Sequence, residues 1–168
     1  MRKSAARADV LAPPFLEITT KSPEETTAFA TKIAQHLGGG DVLLLFGDLG
    51  SGKTHFARSV IQSRLEVPED VPSPTFTLVQ TYETPDVEIW HADLYRLTSA
   101  DEVFEIGLLD AFEHAICLVE WPDRLGADTP DDALSIRFEM TEIEGERKLA
   151  FHGSSRWTQI LSNFRAPE

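Results

Sequence analysis

The sequence predicts a single α/β domain built on a mixed β-sheet that helices cover on both faces. The continuous apolar run Val42–Phe46 has the length of a strand and suits one that is buried on both sides. A glycine-rich turn and an amphipathic helix, residues 54–65, follow this run directly, which is how an α/β layer begins. The length of 168 residues fits one domain with its own core.

The chain before this strand is expected to hold a leader, an edge strand and a helix. Residues 1–14 are rich in alanine and charge and end in two prolines, so we expect a disordered leader and place the domain at residues 15–168. Residues 15–19 alternate apolar and polar, which predicts a short edge strand. Ser22 and Glu25 form a predicted capping box, and apolar residues at every fourth position continue that helix to a run of three glycines.

The second half of the chain is rich in strand signals. Residues 77–83 and 87–94 flank a Thr-Pro-Asp turn, which predicts an antiparallel hairpin. Thr98 with Asp101 marks the start of another helix. The remaining predicted strands are residues 116–119, which read as a second buried strand, and residues 134–140 and 147–151.

The composition limits the functions that are open to this domain. With 15 basic and 28 acidic residues the net charge is −13, which disfavours unaided binding to nucleic acid, because such binding depends on clustered Lys and Arg. Cys117 is the only cysteine, so an internal disulfide is excluded. The sequence has no apolar run of the roughly 18 residues that a membrane span needs, and no signal peptide is recognisable. We therefore expect a cytoplasmic protein that does not act on a membrane.

The glycine-rich turn carries a phosphate-binding motif. The pattern G-x-x-x-x-G-K-[ST] is satisfied by Gly47-Asp48-Leu49-Gly50-Ser51-Gly52-Lys53-Thr54. Glycines let backbone N–H groups converge on phosphate oxygens, and the following helix adds unpaired N–H groups and the positive end of its dipole. Lys53 can reach the β- and γ-phosphates, and the Thr54 hydroxyl can bind Mg²⁺. A chance match is expected in about one per cent of such chains or fewer, and the flanking strand and helix favour a nucleotide site.

Two acidic residues end predicted strands and are candidates to complete a metal site. Ligands of open α/β sheets bind beyond the carboxyl ends of parallel strands. Glu120 follows the strand at 116–119 and is interpreted as the Walker B acid, a Mg²⁺ ligand, with a solvated carboxylate before a turn as the alternative. Asp93 is a further metal ligand or the group that positions the attacking water, unless it only caps a turn.

Two polar residues near these acids have a less specific pattern. His91 shares a strand face with Asp93, and we interpret it as a packed, hydrogen-bonded histidine rather than a catalyst. Thr75 lies in a Pro-rich loop, where its hydroxyl either senses the γ-phosphate or belongs to a simple proline turn. The residues themselves leave both interpretations of Thr75 open.

Taken in order, these segments resemble the TsaE family of small bacterial ATPases, which act in the threonylcarbamoyladenosine modification of tRNA. The resemblance rests on the glycine-rich motif and on residues 73–79, 91–96 and 117–122, whose order and spacing agree with the family. It covers about residues 15–155 of the chain.

The resemblance implies a P-loop NTPase fold with a mixed sheet of about seven strands and an ATPase that depends on Mg²⁺. It also implies TsaB-like and TsaD-like partner subunits, with tRNA reached only through their complex, which ATP hydrolysis resets between turnovers. The implied catalytic residues are Lys53, Asp93 and Glu120, and the implied metal ligands are Thr54 and Glu120. The implied ATP-binding residues are Gly47, Asp48, Leu49, Gly50, Ser51, Gly52, Lys53, Thr54, His55, Thr75 and Trp121.

The sequence shows no obvious arginine finger, so we expect slow ATP hydrolysis by the chain alone and faster turnover with partners.

Three other functions are weighed against an ATPase of this kind. One alternative is a nucleotide-gated interaction module in which hydrolysis is incidental. Another is a small-molecule P-loop kinase, although no arginine-bearing lid is recognisable. A GTPase is disfavoured because the guanine signature N-K-x-D is missing from the sequence.

Overall fold

Seven strands and five α-helices make up the part of the chain that the computed structural model describes, residues 13–164. The predicted leader lies outside these residues except for its last two. None of the described helices is long and apolar enough to cross a membrane. The strands are β1 (Leu16–Thr20), β2 (Val42–Phe46), β3 (Val79–Glu83), β4 (Glu88–Asp93), β5 (Ile116–Glu120), β6 (Leu134–Met140) and β7 (Arg147–His152). The helices are α1 (Pro23–Ala34), α2 (Lys53–Arg64), α3 (Ala100–Glu105), α4 (Leu108–Ala111) and α5 (Ser155–Ile160), and a 3-10 segment (Pro122–Asp128) follows β5.

All seven strands form one mixed sheet in the order β1-β7-β6-β2-β5-β4-β3. Four of them, β6, β2, β5 and β4, run parallel at its centre, while β7 and β3 run in the opposite direction and β1 pairs antiparallel with β7. The predicted mixed sheet of about seven strands is confirmed, and so is the antiparallel hairpin β3–β4. Because the central strands are parallel, Phe46, Asp93 and Glu120 end their strands at one edge of the sheet.

Helices cover both faces of the sheet, as the apolar run in β2 predicts. Leu43 and Leu45 belong to the core that α1, α2 and α5 cover, which also contains the fully buried Trp157. Val42 and Leu44 alternate with them and belong to the opposite core, which α3, α4 and the 3-10 segment cover. The strand that leads to the glycine-rich turn is therefore held rigidly from both sides.

The start of α1 differs in one detail from the predicted capping box. The Ser22 hydroxyl accepts a hydrogen bond from the Glu25 N–H at 3.1 Å, as predicted. The Glu25 carboxylate, however, accepts from the N–H of Lys21 at 2.7 Å, one residue earlier than the standard motif. The helix ends at Ala34, and the segment up to the glycines continues as turns that still bury Leu37.

Several other predicted boundaries differ from the observed ones by one or two residues, and two of them have a clear physical reason. The hairpin strand begins at Val79 instead of residue 77, because Leu78 has a left-handed backbone with φ 72°, which a strand does not accommodate. Helix α3 is capped by Ser99 with Glu102, one residue later than the predicted Thr98 and Asp101. The Glu102 carboxylate accepts from the N–H groups of both Thr98 and Ser99, which fixes this start.

Candidate functional site

The glycine loop, residues 47–54, connects β2 to α2 at the carboxyl edge of the sheet. Gly47, Gly50 and Gly52 all have positive φ, at 152°, 78° and 111°. A Cβ atom on Gly47 would lie 2.5 Å from the Ser51 hydroxyl oxygen and 2.9 Å from the Phe138 carbonyl oxygen, so only glycine fits there. Helix α2 then begins at Lys53 with its unpaired N–H groups and the positive end of its dipole at the loop. This conformation leaves room and donors for an anion.

Lys53 is buried inside this loop instead of extending into solvent. Its ammonium group donates hydrogen bonds to the carbonyl oxygens of Gly47 and Asp48, the second at 3.1 Å, and lies 4.2 Å from the centre of the Trp121 ring. Burial lowers the pKa of Lys53 below its usual value, although the carboxylates of Glu120 and Asp93 act in the opposite direction. A positive charge is thus held at the mouth of α2 with little water around it.

The side chains of Thr54 and Glu120 contact each other beside the glycine loop. The Thr54 hydroxyl lies 2.8 Å and 2.9 Å from the two Glu120 carboxylate oxygens and donates its hydrogen to them. The imidazole Nε2 of His91, on β4, lies 2.7 Å from the same carboxylate. Glu120 is only 2% exposed, so the alternative of a solvated carboxylate before a turn is excluded. His91 is packed and hydrogen-bonded, as its sequence position predicts.

Asp93 lies beside Glu120 because parallel pairing of β4 and β5 brings their backbones into register. One carboxylate oxygen of Asp93 accepts from the Tyr95 N–H at 3.0 Å, and the other accepts from the Thr75 hydroxyl at 3.3 Å. The contact to Tyr95 is the turn-capping arrangement considered from the sequence. The contact to Thr75 shows that the Pro-rich loop reaches the site and is more than a simple turn.

Arg147 contacts the glycine loop from β7, and no motif in the sequence marks it. Its guanidinium group donates to the carbonyl oxygens of Ser51 at 2.9 Å and Gly50 at 3.2 Å. These contacts span 96 and 97 positions in the chain. Sequence reasoning missed this residue because only the β6–β7 hairpin, which ends beside the loop, brings it there.

A cavity of about 380 Å³ lies in front of the glycine loop, within the usual size range of small-molecule sites. Among the predicted residues, ten line it: Leu49, Gly50, Gly52, Lys53, Thr54, His55, Thr75, Asp93, Glu120 and Trp121. The other three, Gly47, Asp48 and Ser51, belong to the loop without lining the cavity, and the carbonyl groups of Gly47 and Asp48 accept hydrogen bonds from Lys53. The structure thus brings the predicted site residues together in one place.

His55 and Trp121 both line this cavity. The His55 Nε2 atom lies 3.0 Å from the Thr27 hydroxyl and 3.0 Å from the Pro23 carbonyl oxygen, which ties α2 to the start of α1. Trp121 follows β5 with a left-handed backbone, φ 57°, and its ring packs on Tyr95 at 4.9 Å between centroids. The unusual backbone turns the indole toward Lys53 and away from the path of the strand.

The oxygen ligands at this edge suit a hard divalent cation. Within residues 13–164 no group of three His, Cys, Asp or Glu side chains is arranged as a metal site of its own. Mg²⁺, however, is usually held by one or two carboxylates and completes its shell with water and phosphate oxygens. The Thr54 hydroxyl and the Glu120 carboxylate, with Asp93 beside them, provide this type of ligand set.

Comparison with known proteins finds a family model and curated relatives that carry the same name. The family model described as "Threonylcarbamoyl adenosine biosynthesis protein TsaE" matches residues 20–149. Curated relatives named "tRNA threonylcarbamoyladenosine biosynthesis protein TsaE" include one from Bacillus subtilis, which is 36% identical over 137 residues and is matched over 81% of this chain and 84% of its own length. The Aquifex aeolicus relative is 37% identical over 137 residues, or 81% of this chain and 95% of its own. The Rickettsia typhi relative is 42% identical over 105 residues, or 62% and 73%.

A solved structure shows the same architecture. The crystal structure of YdiB from Bacillus subtilis superposes with a TM-score of 0.70 at 30% sequence identity. The match covers 88% of this chain and 91% of that one. The sheet, the glycine loop and the hairpins described above therefore lie within a fold that has been observed experimentally.

Proposed function

The chain belongs to the TsaE family, and from this premise we propose that it binds ATP with Mg²⁺ and hydrolyses it in support of threonylcarbamoyladenosine biosynthesis on tRNA. The family name and the names of the relatives support the pathway. The observation that carries the chemistry is the contact between Thr54 and Glu120 in front of the glycine loop. On this proposal the fold is a P-loop NTPase fold and the cytoplasm is its place of action.

The glycine loop is proposed to hold the phosphates of ATP. The N–H groups at the start of α2 provide donors, and the Lys53 ammonium provides a positive charge that is already desolvated. The carbonyl oxygens that hold Lys53 in place come from the loop itself, so the charge is kept near its working position. Trp121 closes the side of the site over Lys53.

Thr54 and Glu120 would hold Mg²⁺, which when bound supplies positive charge to the phosphate oxygens. Asp93 is proposed to orient the attacking water, because it lines the cavity beside Glu120 while its own orientation is fixed by Tyr95 and Thr75. The Thr75 hydroxyl connects the Pro-rich loop to Asp93, so this loop can respond to the nucleotide state. Direct ligation of the metal by Asp93 is the alternative role.

Slow hydrolysis by the isolated chain is part of the proposal. Among the described residues, Arg147 is the arginine that lines the cavity, and its guanidinium already donates hydrogen bonds to loop carbonyls. A charge that stabilises the transition state can raise the rate of such reactions by about 10³ to 10⁵. We therefore assign faster turnover to the complex with TsaB-like and TsaD-like subunits, through which the chain would reach tRNA.

Calorimetry with Mg·ATP, Mg·ADP and Mg·GTP tests the nucleotide site directly. The unmodified chain should bind the adenine nucleotides, and Lys53→Ala should abolish this binding while the protein remains folded by circular dichroism. Lys32→Ala, on the exposed surface of α1, is the matched control and should bind as the unmodified chain does. Binding by Lys53→Ala with unchanged affinity would refute the assignment. Adding TsaB-like and TsaD-like proteins in a turnover assay then tests the proposed acceleration.

A further inference from the structure

His91 makes a contact with Glu120 that packing alone does not require. The imidazole is fully buried on β4, in register with Leu118 of β5, and its Nε2 atom lies 2.7 Å from a Glu120 carboxylate oxygen. A buried imidazole in an apolar sheet is ordinarily replaceable by an apolar side chain of similar size. Here its polar edge meets the one carboxylate that also contacts Thr54.

The direction of this hydrogen bond follows from the chemistry of its partners. An ionised carboxylate only accepts hydrogen bonds, so the hydrogen is on Nε2 and His91 is the donor. Within residues 13–164 the other ring nitrogen, Nδ1, is buried without a hydrogen-bond partner. An Nδ1–H group would have no acceptor there, which favours the same tautomer.

The Glu120 carboxylate is therefore held by donors from two different elements. Thr54 donates from the first turn of α2, and His91 donates from the neighbouring strand β4. The terminal torsion of a Glu side chain ordinarily covers a broad range of angles. Hydrogen bonds from two donors restrict the rotation of the Glu120 carboxylate about this torsion. Hydrogen-bonded partners of this kind fix the orientation of metal-binding carboxylates.

We propose that His91 is a positioning residue that orients the Glu120 carboxylate toward Thr54 and thereby sets the Mg²⁺ dependence of nucleotide binding. This inference rests on the proposed nucleotide site and deepens it. His91 is not among the described residues that line the cavity, so it would act through its contact with Glu120. Its removal should therefore weaken the contribution of Mg²⁺ and leave the binding of ATP without Mg²⁺ almost unchanged.

Two similar substitutions separate positioning from packing. In His91→Gln the side-chain amide nitrogen can take the place of Nε2 and still donate to Glu120. In His91→Asn the amide nitrogen corresponds to Nδ1 and falls short of the carboxylate. We expect His91→Asn to weaken Mg·ATP binding by about tenfold or more, and His91→Gln to retain most of the affinity. Both variants should bind ATP in EDTA as the unmodified chain does.

The imidazole tautomer provides a second measurement that needs no nucleotide. Long-range proton–nitrogen correlation spectra of the histidine-labelled chain, with the His91 ring assigned through its own backbone resonances, should show the hydrogen on Nε2. A hydrogen on Nδ1 alone would overturn the proposal, even if neither variant folded. Equal Mg²⁺ dependence in His91→Asn and the unmodified chain would also overturn it. Failure of the unmodified chain to bind any nucleotide would instead refute the proposed function, while the tautomer would still decide whether His91 donates to Glu120.

Discussion

Arg147 illustrates how a single side chain can hold the backbone of a binding loop in one conformation. Backbone carbonyl and N–H groups of one peptide unit point in opposite directions. By accepting hydrogen bonds from Arg147, the carbonyl of Ser51 is turned toward β7, and the N–H of Gly52 is turned away from it. A conformation of the loop that offers donors to an anion is therefore stabilised before the anion arrives.

The substitution Arg147→Met tests this role, because Met keeps the apolar stem and removes the guanidinium. Hydrogen bonds from a charged donor contribute about 1.5 to 3 kcal/mol. We expect the affinity for Mg·ATP to fall by about tenfold in calorimetry, with a small decrease in melting temperature. Lys148→Met, at the next and exposed position of β7, is the control and should bind normally. Equal affinities in the two variants would show that the loop keeps its shape without Arg147.

The residues of the glycine loop and the two acids could be predicted as site residues. The side chains that hold them in position could not be assigned that role from the sequence. Lys53, Thr54 and Glu120 belong to local patterns in which residue type and strand position carry the information. Of the partners that hold them, Arg147 has no pattern in the sequence, and His91 was predicted to be hydrogen-bonded without its partner being predicted. Their roles depend on which strands become neighbours in the sheet, and a single sequence does not encode that order in any local motif.

At the scale of elements, α1 shows how a helix start is specified by side chains. Ser22 accepts from the N–H of Glu25, and Thr26, one turn into the helix, shares a buried hydrogen bond with Thr20 at the end of β1. The first turn of α1 is thereby connected to the edge strand. Pro23 and Thr26, in the same turn, also line the cavity, so the start of this helix contributes to the site.

Removing the cap by Ser22→Ala should lower the free energy of unfolding by about 1 kcal/mol. For a domain of this size the melting temperature should fall by about 2 to 4 °C. Ser63→Ala in α2 makes the same chemical change at an exposed position inside a helix, where alanine is the better helix former. The second variant should be as stable as the unmodified chain or more stable. A thermal melt in which both variants lose equal stability would contradict the capping role.

Elements with a clear apolar pattern or a capping signal were predictable, and very short helices and strained segments were not. The bounds of β2 and α2 were predicted to within one residue, because the apolar positions in their sequences are the positions that are buried in the fold. Helices α4 and α5, of 4 and 6 residues, and the 3-10 segment are too short for a period to show. The start of β3 was misplaced because Leu78 adopts φ 72°, a backbone that its residue type disfavours.

At the scale of the whole molecule, the centre of the sheet is closed to water. Cys117 lies in β5 with no exposed surface, and burial raises the pKa of its thiol to about 12. In the unfolded chain the thiol loses its proton near pH 8.5. At a pH between these two pKa values, the Cys117 thiol keeps its proton in the folded chain and loses it in the unfolded chain. The ionisation of Cys117 in the unfolded chain therefore makes the folded state less stable as the pH rises.

Cys117→Ala should remove this alkaline loss of stability. Denaturation by urea at pH 8 and at pH 10.5 should show a smaller decrease between the two values in the variant than in the unmodified chain. Alkylation of the native thiol at pH 8 should be slow and should accelerate only when urea unfolds the domain, because the thiolate is the reactive form. Rapid alkylation of the folded chain would contradict the closed centre of the sheet.

The charge of the whole chain bears on the proposal that it reaches tRNA only through partner subunits. Its net charge is −13, and affinity for nucleic acid phosphates comes largely from clustered cations that release counterions. Two of the described arginines are already paired: Arg64 with Asp86, and Arg156 with Asp41 and Asp132. These pairs further reduce the cationic surface that could follow a phosphate backbone.

We therefore expect the chain alone not to bind tRNA at physiological salt, with or without Mg·ATP. Fluorescence anisotropy of labelled tRNA, titrated with the chain at several salt concentrations, measures this directly. A protein that neutralises several phosphates would show an affinity that falls steeply as salt rises. If the isolated chain gave such a curve with micromolar affinity at about 150 mM salt, a local basic surface would have to outweigh the overall charge, and the proposed indirect route to tRNA would be wrong. If binding is observed only after TsaB-like and TsaD-like subunits are added, the partners supply the cations that this acidic domain lacks.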